Sequence, residues 1–322
     1  MAGAILCLGE ALVDLVAEEV GVDLTAARTF VKTPGGAIAN VAVGLARLGV
    51  SVRFAGQVGA DAFGLFLREY LAGQGVDLRL LRLSPDYPTG VVLVARDRDC
   101  SPSFCFLGNP SADMMYGEEE IGEEMLAGVS FAHLGTVTMV REESRAASFK
   151  LMRLAAGLGV RLSFDPNLRL HLWRDHALLR RLALEVVGGS DLVKLSVEEL
   201  RFLSGCERVE AGAARLREQG ATLVVTTLGA EGAYYLGPGL EGRVAGFRVQ
   251  AVDATGAGDA FAAGLLSRLR LLAWPPPEPE LREALAAANA AGALAAMAVG
   301  ATAGLPRPEE LAEFLQRRPS PS

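Results

Sequence analysis

Along most of the chain, short apolar runs alternate with stretches in which apolar residues recur at helical spacing. Residues 4–8 form an uninterrupted apolar run that predicts a buried strand, and residues 36–48 carry apolar positions at helical spacing. The same criteria predict later strands at 51–58, 129–134, 160–164, 192–195 and 223–227, and helices at 61–71, 142–158, 177–187 and 197–203. This alternation predicts an α/β fold in which helices flank a central, mostly parallel sheet.

Two stretches interrupt this rhythm with β-prone segments that have no helix between them, residues 13–34 and 90–106. Together they predict a small sheet beside the main one. Such a sheet would be a lid over the carboxyl ends of the parallel strands, where open α/β sheets bind ligands. A simple edge hairpin is the alternative. The predicted organisation is one domain over residues 1–318, with lid segments near 13–34 and 88–108, and a tail at 319–322.

Composition and charge exclude several classes of protein. The chain has 322 residues, 51% of them hydrophobic, yet it has no apolar run long enough to span a bilayer. The Ala-rich stretch 285–299 is shorter than a span and predicts a buried helix. A net charge of −7 argues against a nucleic-acid surface, and the four scattered cysteines argue against a disulfide framework. Residues 1–20 lack a targeting pattern, so we expect a cytoplasmic protein without membrane or nucleic-acid partners.

The run 253–261 carries the strongest chemical signal. It reads DATGAGDAF and precedes a stretch of helical spacing. The backbone N–H groups of Gly256, Ala257 and Gly258 would close on an anion at the positive end of that helix. A carboxylate beside such an anion site, here Asp259, is suited to deprotonate a hydroxyl while a phosphoryl group arrives. The alternative is a glycine turn in which Asp caps the helix.

A second signal lies at the start of the helix predicted over 36–48. Gly35 and Gly36 allow the backbone to approach a polyol closely, and the Asn40 amide can both donate to and accept from vicinal hydroxyls. Asp14 follows the first predicted strand and would lie at its carboxyl end, where substrates bind. The alternative is a glycine-rich turn with a solvent-facing Asn and a loop Asp.

Two later strands end in polar residues that suit the handling of phosphate. Asn167 and Arg169 follow the strand 160–164, and the forked guanidinium of arginine suits phosphate or carboxylate oxygens. Glu199 follows the strand 192–195, where it could bind Mg²⁺ through waters or simply occupy the first turn of a helix. The chain has no Walker A run, which disfavours a P-loop fold.

The runs 253–261 and 35–49 resemble the C-terminal and N-terminal signatures of the ribokinase-like (PfkB) carbohydrate kinases. Ala254 and Ser196 depart from the usual Thr and Asn of the family. The segments most similar to fructokinases are 32–49, 109–114, 165–169, 194–199 and 253–261. The resemblance implies a ribokinase-like fold with a small β-sheet lid. It also implies ATP-dependent phosphorylation of the primary hydroxyl at C6 of a ketohexose, with fructose the best match.

The resemblance further implies a role for individual residues. The implied catalytic set is Asp259 as general base with Gly256, Ala257, Gly258 and Arg169. The implied sugar ligands are Asp14, Gly35, Gly36, Asn40, Asn167 and Arg169. The implied ATP contacts are Lys194, Thr227, Gly229, Gly232, Gly256, Gly258 and Asn289. The implied ligands of Mg²⁺ and of a monovalent cation such as K⁺ are Glu199, Asp253, Thr255 and Gly300. The expected partners are a small-molecule sugar and ATP, with a homodimer formed through the lid.

One departure from fructokinases bears on the substrate. Fructokinases usually have an Arg two residues before the Pro-Ser-Ala-Asp-Met run, and Gly108 occupies that position here. The missing lid cation disfavours an acidic sugar, although Arg169 offers another partner for a carboxylate. A 2-keto-3-deoxygluconate kinase is therefore the alternative function. A nucleoside kinase or a catalytically silent family member is disfavoured.

Overall fold

The structure is a computed structural model that describes residues 3–19, 21–96 and 102–317. The predicted tail at 319–322 lies outside these residues, as do the predicted domain's positions 1–2 and 318 and parts of the two predicted lid segments. Numbered in chain order, the strands are β1 (Ala4–Leu8), β2 (Leu12–Ala17), β3 (Phe30–Gly35), β4 (Val52–Gly59), β5 (Asp77–Ser84), β6 (Val91–Arg96), β7 (Pro102–Leu107), β8 (Val129–Leu134), β9 (Arg161–Phe164), β10 (Leu192–Ser196), β11 (Leu223–Thr227), β12 (Gly232–Gly237) and β13 (Leu240–Ala245).

Within the described residues, nine strands form one large sheet in the order β13-β12-β11-β10-β9-β8-β1-β4-β5. All neighbours from β11 to β5 pair in parallel, and β12 and β13 extend the sheet with antiparallel pairs. From β1 the chain adds β4 and β5 on one side and β8 to β13 on the other. The predicted central, mostly parallel sheet is therefore confirmed. The direction of strand addition reverses beside β1, which is where ligands bind in such sheets.

The helices cover both faces of this sheet. They are α1 (Ala37–Arg47), α2 (Ala62–Gly73), α3 (Glu142–Leu158), α4 (His176–Gly188), α5 (Val197–Ser204), α6 (Val209–Glu218), α7 (Ala257–Leu269), α8 (Glu278–Ala295) and α9 (Pro308–Arg317). Successive residues of β1 point to opposite faces, so Ile5 belongs to the apolar core shared with α1, α2, α7 and α8, while Leu6 belongs to the core shared with α3 to α6. No helix in the described ranges is both long and apolar enough to cross a membrane.

Helix ends follow the local capping chemistry. The predicted cap of α2 is confirmed, since the Asp61 carboxylate accepts a hydrogen bond of 2.8 Å from the Gly64 N–H. The prediction of a helix over 285–299 was wrong at both ends. The helix α8 begins at Glu278, directly after Pro277, and ends at Ala295. Val299 lies beyond the helix and is 59% exposed.

The second sheet is small and separate, with the order β3-β2-β6-β7. The hairpin β2–β3 and the hairpin β6–β7 are joined by parallel pairing of β2 with β6. The predicted small sheet is confirmed, and the alternative of a simple edge hairpin is wrong. Asp14, predicted to follow β1 at its carboxyl end, instead lies within β2, because the chain enters the small sheet at Leu12.

Candidate active site

A cavity of about 740 Å³ lies where the small sheet faces the carboxyl ends of the large one. Phe106 of β7 borders it, with its ring 4.6 Å from that of His171, in the segment that follows β9. The predicted site residues that line this cavity are Asp14, Gly36, Asn40, Asn167, Arg169, Lys194, Glu199, Asp253, Thr255, Gly256, Gly258 and Asp259. The predicted residues outside the lining are Gly35, Ala257, Thr227, Gly229, Gly232, Asn289 and Gly300.

The two long sequence signatures meet in this cavity. Asn40 lies in the first turn of α1 and Asp259 in the first turn of α7, and both side chains are buried. The Asn40 Nδ2 donates a hydrogen bond of 2.9 Å to the Asp259 Oδ2. Burial raises the pKa of Asp259 to about 6, although the hydrogen bond from Asn40 opposes that rise. Asn40, predicted as a sugar ligand, is therefore also a partner of the predicted base.

The start of α7 has the geometry of an anion site. Gly256 caps the helix with φ +79°, and a Cβ there would lie 2.3 Å from the Ala301 carbonyl oxygen. A Cβ on Gly258 would lie 3.1 Å from the Lys194 Nζ. The helix N-terminus and this ammonium therefore border the same space, and they fit a phosphate group. The predicted ATP contacts Lys194, Gly256 and Gly258 are brought together here.

Lys194 is held in place by a buried ion pair. Its Nζ lies 2.8 Å from the Asp165 Oδ2, and both side chains are less than one-tenth exposed. Burial disfavours the charge of Lys194, but the carboxylates of Asp165, Glu199 and Asp259 outweigh burial and raise its pKa. The lysine is thus a permanent cation beside the helix start.

The predicted cation ligands fall into two groups. The Asp253 Oδ1 accepts hydrogen bonds from the N–H and hydroxyl of Thr255, at 3.0 and 2.7 Å, and its Oδ2 accepts from the Gly300 N–H at 2.9 Å. Those three residues are therefore adjacent. Glu199 is apart from them, and its two oxygens accept from the N–H groups of Leu168 and Ser196, each at 2.8 Å. In the part of the chain that the structure describes, no group of three His, Cys, Asp or Glu residues could hold a metal ion.

Two glycines at the start of α1 are needed for reasons the sequence did not reveal. A Cβ on Gly35 would lie 2.3 Å from the Asp14 Oδ2, so this glycine makes room for a carboxylate. Gly36 has φ +100°, and a Cβ there would lie 2.5 Å from the Glu10 carbonyl oxygen. Burial raises the pKa of Asp14 to about 7, and the guanidinium of Arg169 partly opposes this.

Besides Asp165, two buried carboxyls in the lining were not predicted as site residues. The Glu10 Oε1 accepts a hydrogen bond of 2.7 Å from the Ala37 N–H, while the Glu10 Oε2 and the Asp113 Oδ1 have no partner within the described residues. Burial raises the pKa of Glu10 to about 7 and that of Asp113 to about 6. Their signal was in the sequence, since Glu10 ends the first strand region and Asp113 lies in the fructokinase-like run 109–114.

Arg169 lines the cavity together with the carboxyls of Glu10, Asp14 and Asp259. Its charge lowers the pKa values of Glu10, Asp14 and Asp259, after burial has raised them. Asn167, two residues earlier, has φ +42°, a conformation that Asn tolerates better than most residues. This turn directs the chain from β9 towards the cavity.

The remaining predicted ATP contacts surround the strands β12 and β13. A Cβ on Gly232 would lie 2.1 Å from the Val244 carbonyl oxygen. The Asn289 amide donates to the carbonyl oxygens of Val244 and Ala245, at 3.2 and 3.1 Å. Thr227 and Gly229 lie at the end of β11 and just beyond it. These contacts attach α8 to β13, and a role in nucleotide binding stays a prediction.

The chain is similar to known proteins along almost its whole length. A family model described as pfkB family carbohydrate kinase matches residues 3–308. Probable fructokinase-6, chloroplastic, of Arabidopsis thaliana is 40% identical over 97% of this chain and 82% of its own length. A double-mutant fructokinase from Vibrio cholerae O395, in a form binding fructose, ADP and a potassium ion, has a TM-score of 0.88 and 35% identity, over 98% of each chain.

A second solved structure has a different substrate. Aminoimidazole riboside kinase from Salmonella enterica, complexed with aminoimidazole riboside and an ATP analogue, has a TM-score of 0.85 and 33% identity, over 97% of this chain and 99% of its own. The predicted resemblance to ribokinase-like carbohydrate kinases is confirmed.

Proposed function

We propose that this chain, which belongs to the pfkB family of carbohydrate kinases, phosphorylates the primary hydroxyl at C6 of a neutral ketohexose, with fructose as the favoured sugar. As a member of that family it is an ATP-dependent carbohydrate kinase. The hydrogen bond between Asn40 and Asp259 is the observation that carries the proposal. It joins the two family signatures, 219 residues apart, at one buried point of the cavity.

Asp259 has the position and the charge of a general base. Its Oδ2 accepts the hydrogen bond from Asn40, and we assign the Oδ1 to the proton of the sugar hydroxyl. The backbone N–H groups at Gly256 and Gly258, with the Lys194 ammonium, stabilise the charge of the phosphoryl group in transfer. When bound, ATP with Mg²⁺ supplies the phosphoryl group and neutralises part of its charge.

The cation assignments belong to the proposal as well. We assign Mg²⁺ to Glu199 through bridging waters. Direct binding is less suitable because both carboxylate oxygens already accept backbone hydrogen bonds. We assign K⁺ to the place where Asp253, Thr255 and Gly300 meet. The potassium ion in the Vibrio cholerae structure supports a monovalent cation in this family. These assignments use only oxygen-rich groups, which hard cations prefer.

Charge at the sugar end supports a neutral substrate. Glu10, Asp14 and Asp113 all border the cavity there, and the Arg169 charge lowers the pKa of Glu10 and of Asp14. Hydroxyl groups can donate to carboxylates, whereas a carboxylate substrate would be repelled by them. Gly108 also borders the cavity and contributes no cation. The arrangement therefore favours a ketose over a sugar acid.

Arg169 also keeps 2-keto-3-deoxygluconate kinase as the second candidate. Its one hydrogen bond in the described residues is to the Leu168 carbonyl oxygen, at 3.4 Å, which leaves most of its donors for a substrate carboxylate. A catalytically silent protein is disfavoured, because the base, the helix start and Lys194 are all assembled.

Two further features remain proposals. A homodimer through the small sheet agrees with the exposed apolar side chains of Val31, Phe104 and Leu107 on that sheet. A cytoplasmic location is proposed from the sequence alone, and the Arabidopsis relative carries the name chloroplastic.

The test is steady-state kinetics with D-fructose and with 2-keto-3-deoxygluconate, in the wild type and in Arg169→Ala, with NMR of the product. We expect a higher kcat/KM for fructose and phosphate at C6. If the acidic sugar has the higher kcat/KM, and Arg169→Ala selectively removes that advantage, the second candidate replaces the first. Turnover of neither sugar would reject both.

A further inference from the structure

The segment 300–305 supports the anion site from behind. Gly300 donates its N–H to the Asp253 carboxylate, and Ala301 packs so closely on Gly256 that a Cβ on Gly256 would lie 2.3 Å from the Ala301 carbonyl oxygen. Ala301 also lines the cavity, beside Gly256 and Gly258. A shift of this segment would therefore move the N–H groups that face the phosphoryl group.

The segment is held from the other side by one arginine. Arg47 is the last residue of α1, and its Nη1 donates to the carbonyl oxygens of Thr302 and Leu305, at 2.6 and 3.1 Å. Its Nε donates to the Gln74 Oε1, at 2.8 Å. All three acceptors are uncharged, so directional hydrogen bonds rather than an ion pair hold this guanidinium in place. The planar fork of arginine reaches in two directions, which a lysine ammonium cannot reproduce.

A tyrosine gives the segment a second attachment. The Tyr70 hydroxyl donates a hydrogen bond of 2.9 Å to the Thr302 Oγ1. Tyr70 and Gln74 belong to α2 and its C-terminal end, so α1 and α2 fix Thr302 together. Thr302 is buried, at 8% exposure, and it directly follows the residue that packs on Gly256.

We propose that Arg47 is a positioning residue for phosphoryl transfer, acting through the segment 300–305 on the backbone anion site at Gly256. The proposal rests on the proposed kinase function. The chain of contacts runs from the Arg47 Nη1 to the Thr302 carbonyl, then along one peptide bond to Ala301, and from Ala301 to Gly256. Arg47 lies at the opposite end of α1 from Gly36 and Asn40. The start of the helix would then contact the sugar, and its end would support the anion site.

We expect a change at Arg47 to weaken catalysis and nucleotide binding but not sugar binding. Arg47→Lys removes the forked contact while keeping the charge. We expect kcat to fall about 10- to 100-fold, because small misplacements of catalytic groups have effects of that size. The affinity for a non-hydrolysable ATP analogue, measured by calorimetry, should fall about tenfold, as for the loss of a hydrogen bond to a charged group. The affinity for fructose should stay within about twofold, since α1 keeps its N-terminal contacts.

Arg53→Lys is the matched control. The Arg53 Nη1 donates to the Met125 carbonyl oxygen at 2.8 Å, and neither residue lines the cavity. This variant also loses an arginine–carbonyl contact, so it should lower the melting temperature but keep wild-type kcat and nucleotide affinity. If Arg47→Lys behaves in the same way, Arg47 is only structural and the proposal is wrong.

A second variant covers the case in which Arg47→Lys does not fold. Tyr70→Phe deletes only the hydrogen bond to Thr302, and it should change kcat and nucleotide affinity in the same direction by a smaller factor. Unchanged values in Tyr70→Phe would then overturn the proposal. If the wild type phosphorylates no sugar, the proposed function fails, and binding of the ATP analogue still decides the role of Arg47.

Discussion

Burial and the hydrogen bond from Asn40 shift the pKa of Asp259 in opposite directions. Burial raises its pKa to about 6, and the hydrogen bond from Asn40 lowers the pKa because the donor favours the carboxylate. This carboxyl, which we propose as the base, is therefore ionised at neutral pH and becomes protonated as the pH falls through about 6. Activity should decline on the acid side of the pH profile at that point.

Replacing Asn40 tests this balance. In Asn40→Ala the carboxylate loses its donor, so the pKa of the base should rise and the acid limb of kcat should move up by about one pH unit. The pH dependence of kcat, measured in the wild type and the variant, checks this. An acid limb at the wild-type pH in the variant would mean that Asp259 is not the titrating base.

At the scale of single residues, the sequence predicted chemistry but not contacts. Asp259 and Asn40 were both assigned to the site, yet their hydrogen bond crosses 219 residues and has no local signal. Gly35 was assigned to close approach of a sugar, which stays a prediction, and its second role of making room for Asp14 had no signal in the sequence. Glu10 and Arg47 were missed because a single charged residue in an apolar or helical run is ordinarily solvent-facing.

At the scale of elements, Glu10 joins the end of β1 to the start of α1. Its Oε1 accepts from the Ala37 N–H at 2.7 Å, and its Oε2 has no partner within the described residues. Burial raises its pKa from 4.5 to about 7 in the folded protein. Between these two values the folded state binds more protons than the unfolded state, so stability should fall as the pH rises.

The variant Glu10→Gln should remove this pH dependence. An amide oxygen can still accept from the Ala37 N–H, so the variant should gain melting temperature relative to the wild type as the pH rises from 4.5 to about 7. Thermal denaturation across that range checks this, with the exposed Glu185→Gln as control. A constant difference between Glu10→Gln and the wild type at every pH would contradict the expectation.

Elements with strong patterns were predicted closely. The bounds of β1, β8, α3 and β11 match the sequence prediction, because each is a clear apolar run or a long amphipathic stretch. The helix α8 was misplaced, since its Ala-rich half gives no start signal and its first turn lies in the proline-rich run, where Pro279 is tolerated. The pairing of β2 with β6 has no local signal and depends on tertiary contacts.

At the scale of the molecule, the site is assembled from distant parts of the chain. The start of α1, the ends of β9 and β10 and the start of α7 converge beside β1, where the direction of strand addition reverses. The small sheet covers this point with Phe106 and Asp14. The fold class predicts that such a site exists, whereas the identity of its lining requires the three-dimensional structure.

We propose Asp259 as the base for phosphoryl transfer to a sugar hydroxyl. The most direct measurement is the turnover of fructose by Asp259→Asn, with calorimetric binding of fructose and of an ATP analogue to the same preparation. We expect kcat to fall about 10²- to 10⁴-fold, with both ligands still bound, because only the proton acceptor is removed. Turnover close to that of the wild type in the folded variant would contradict the claim.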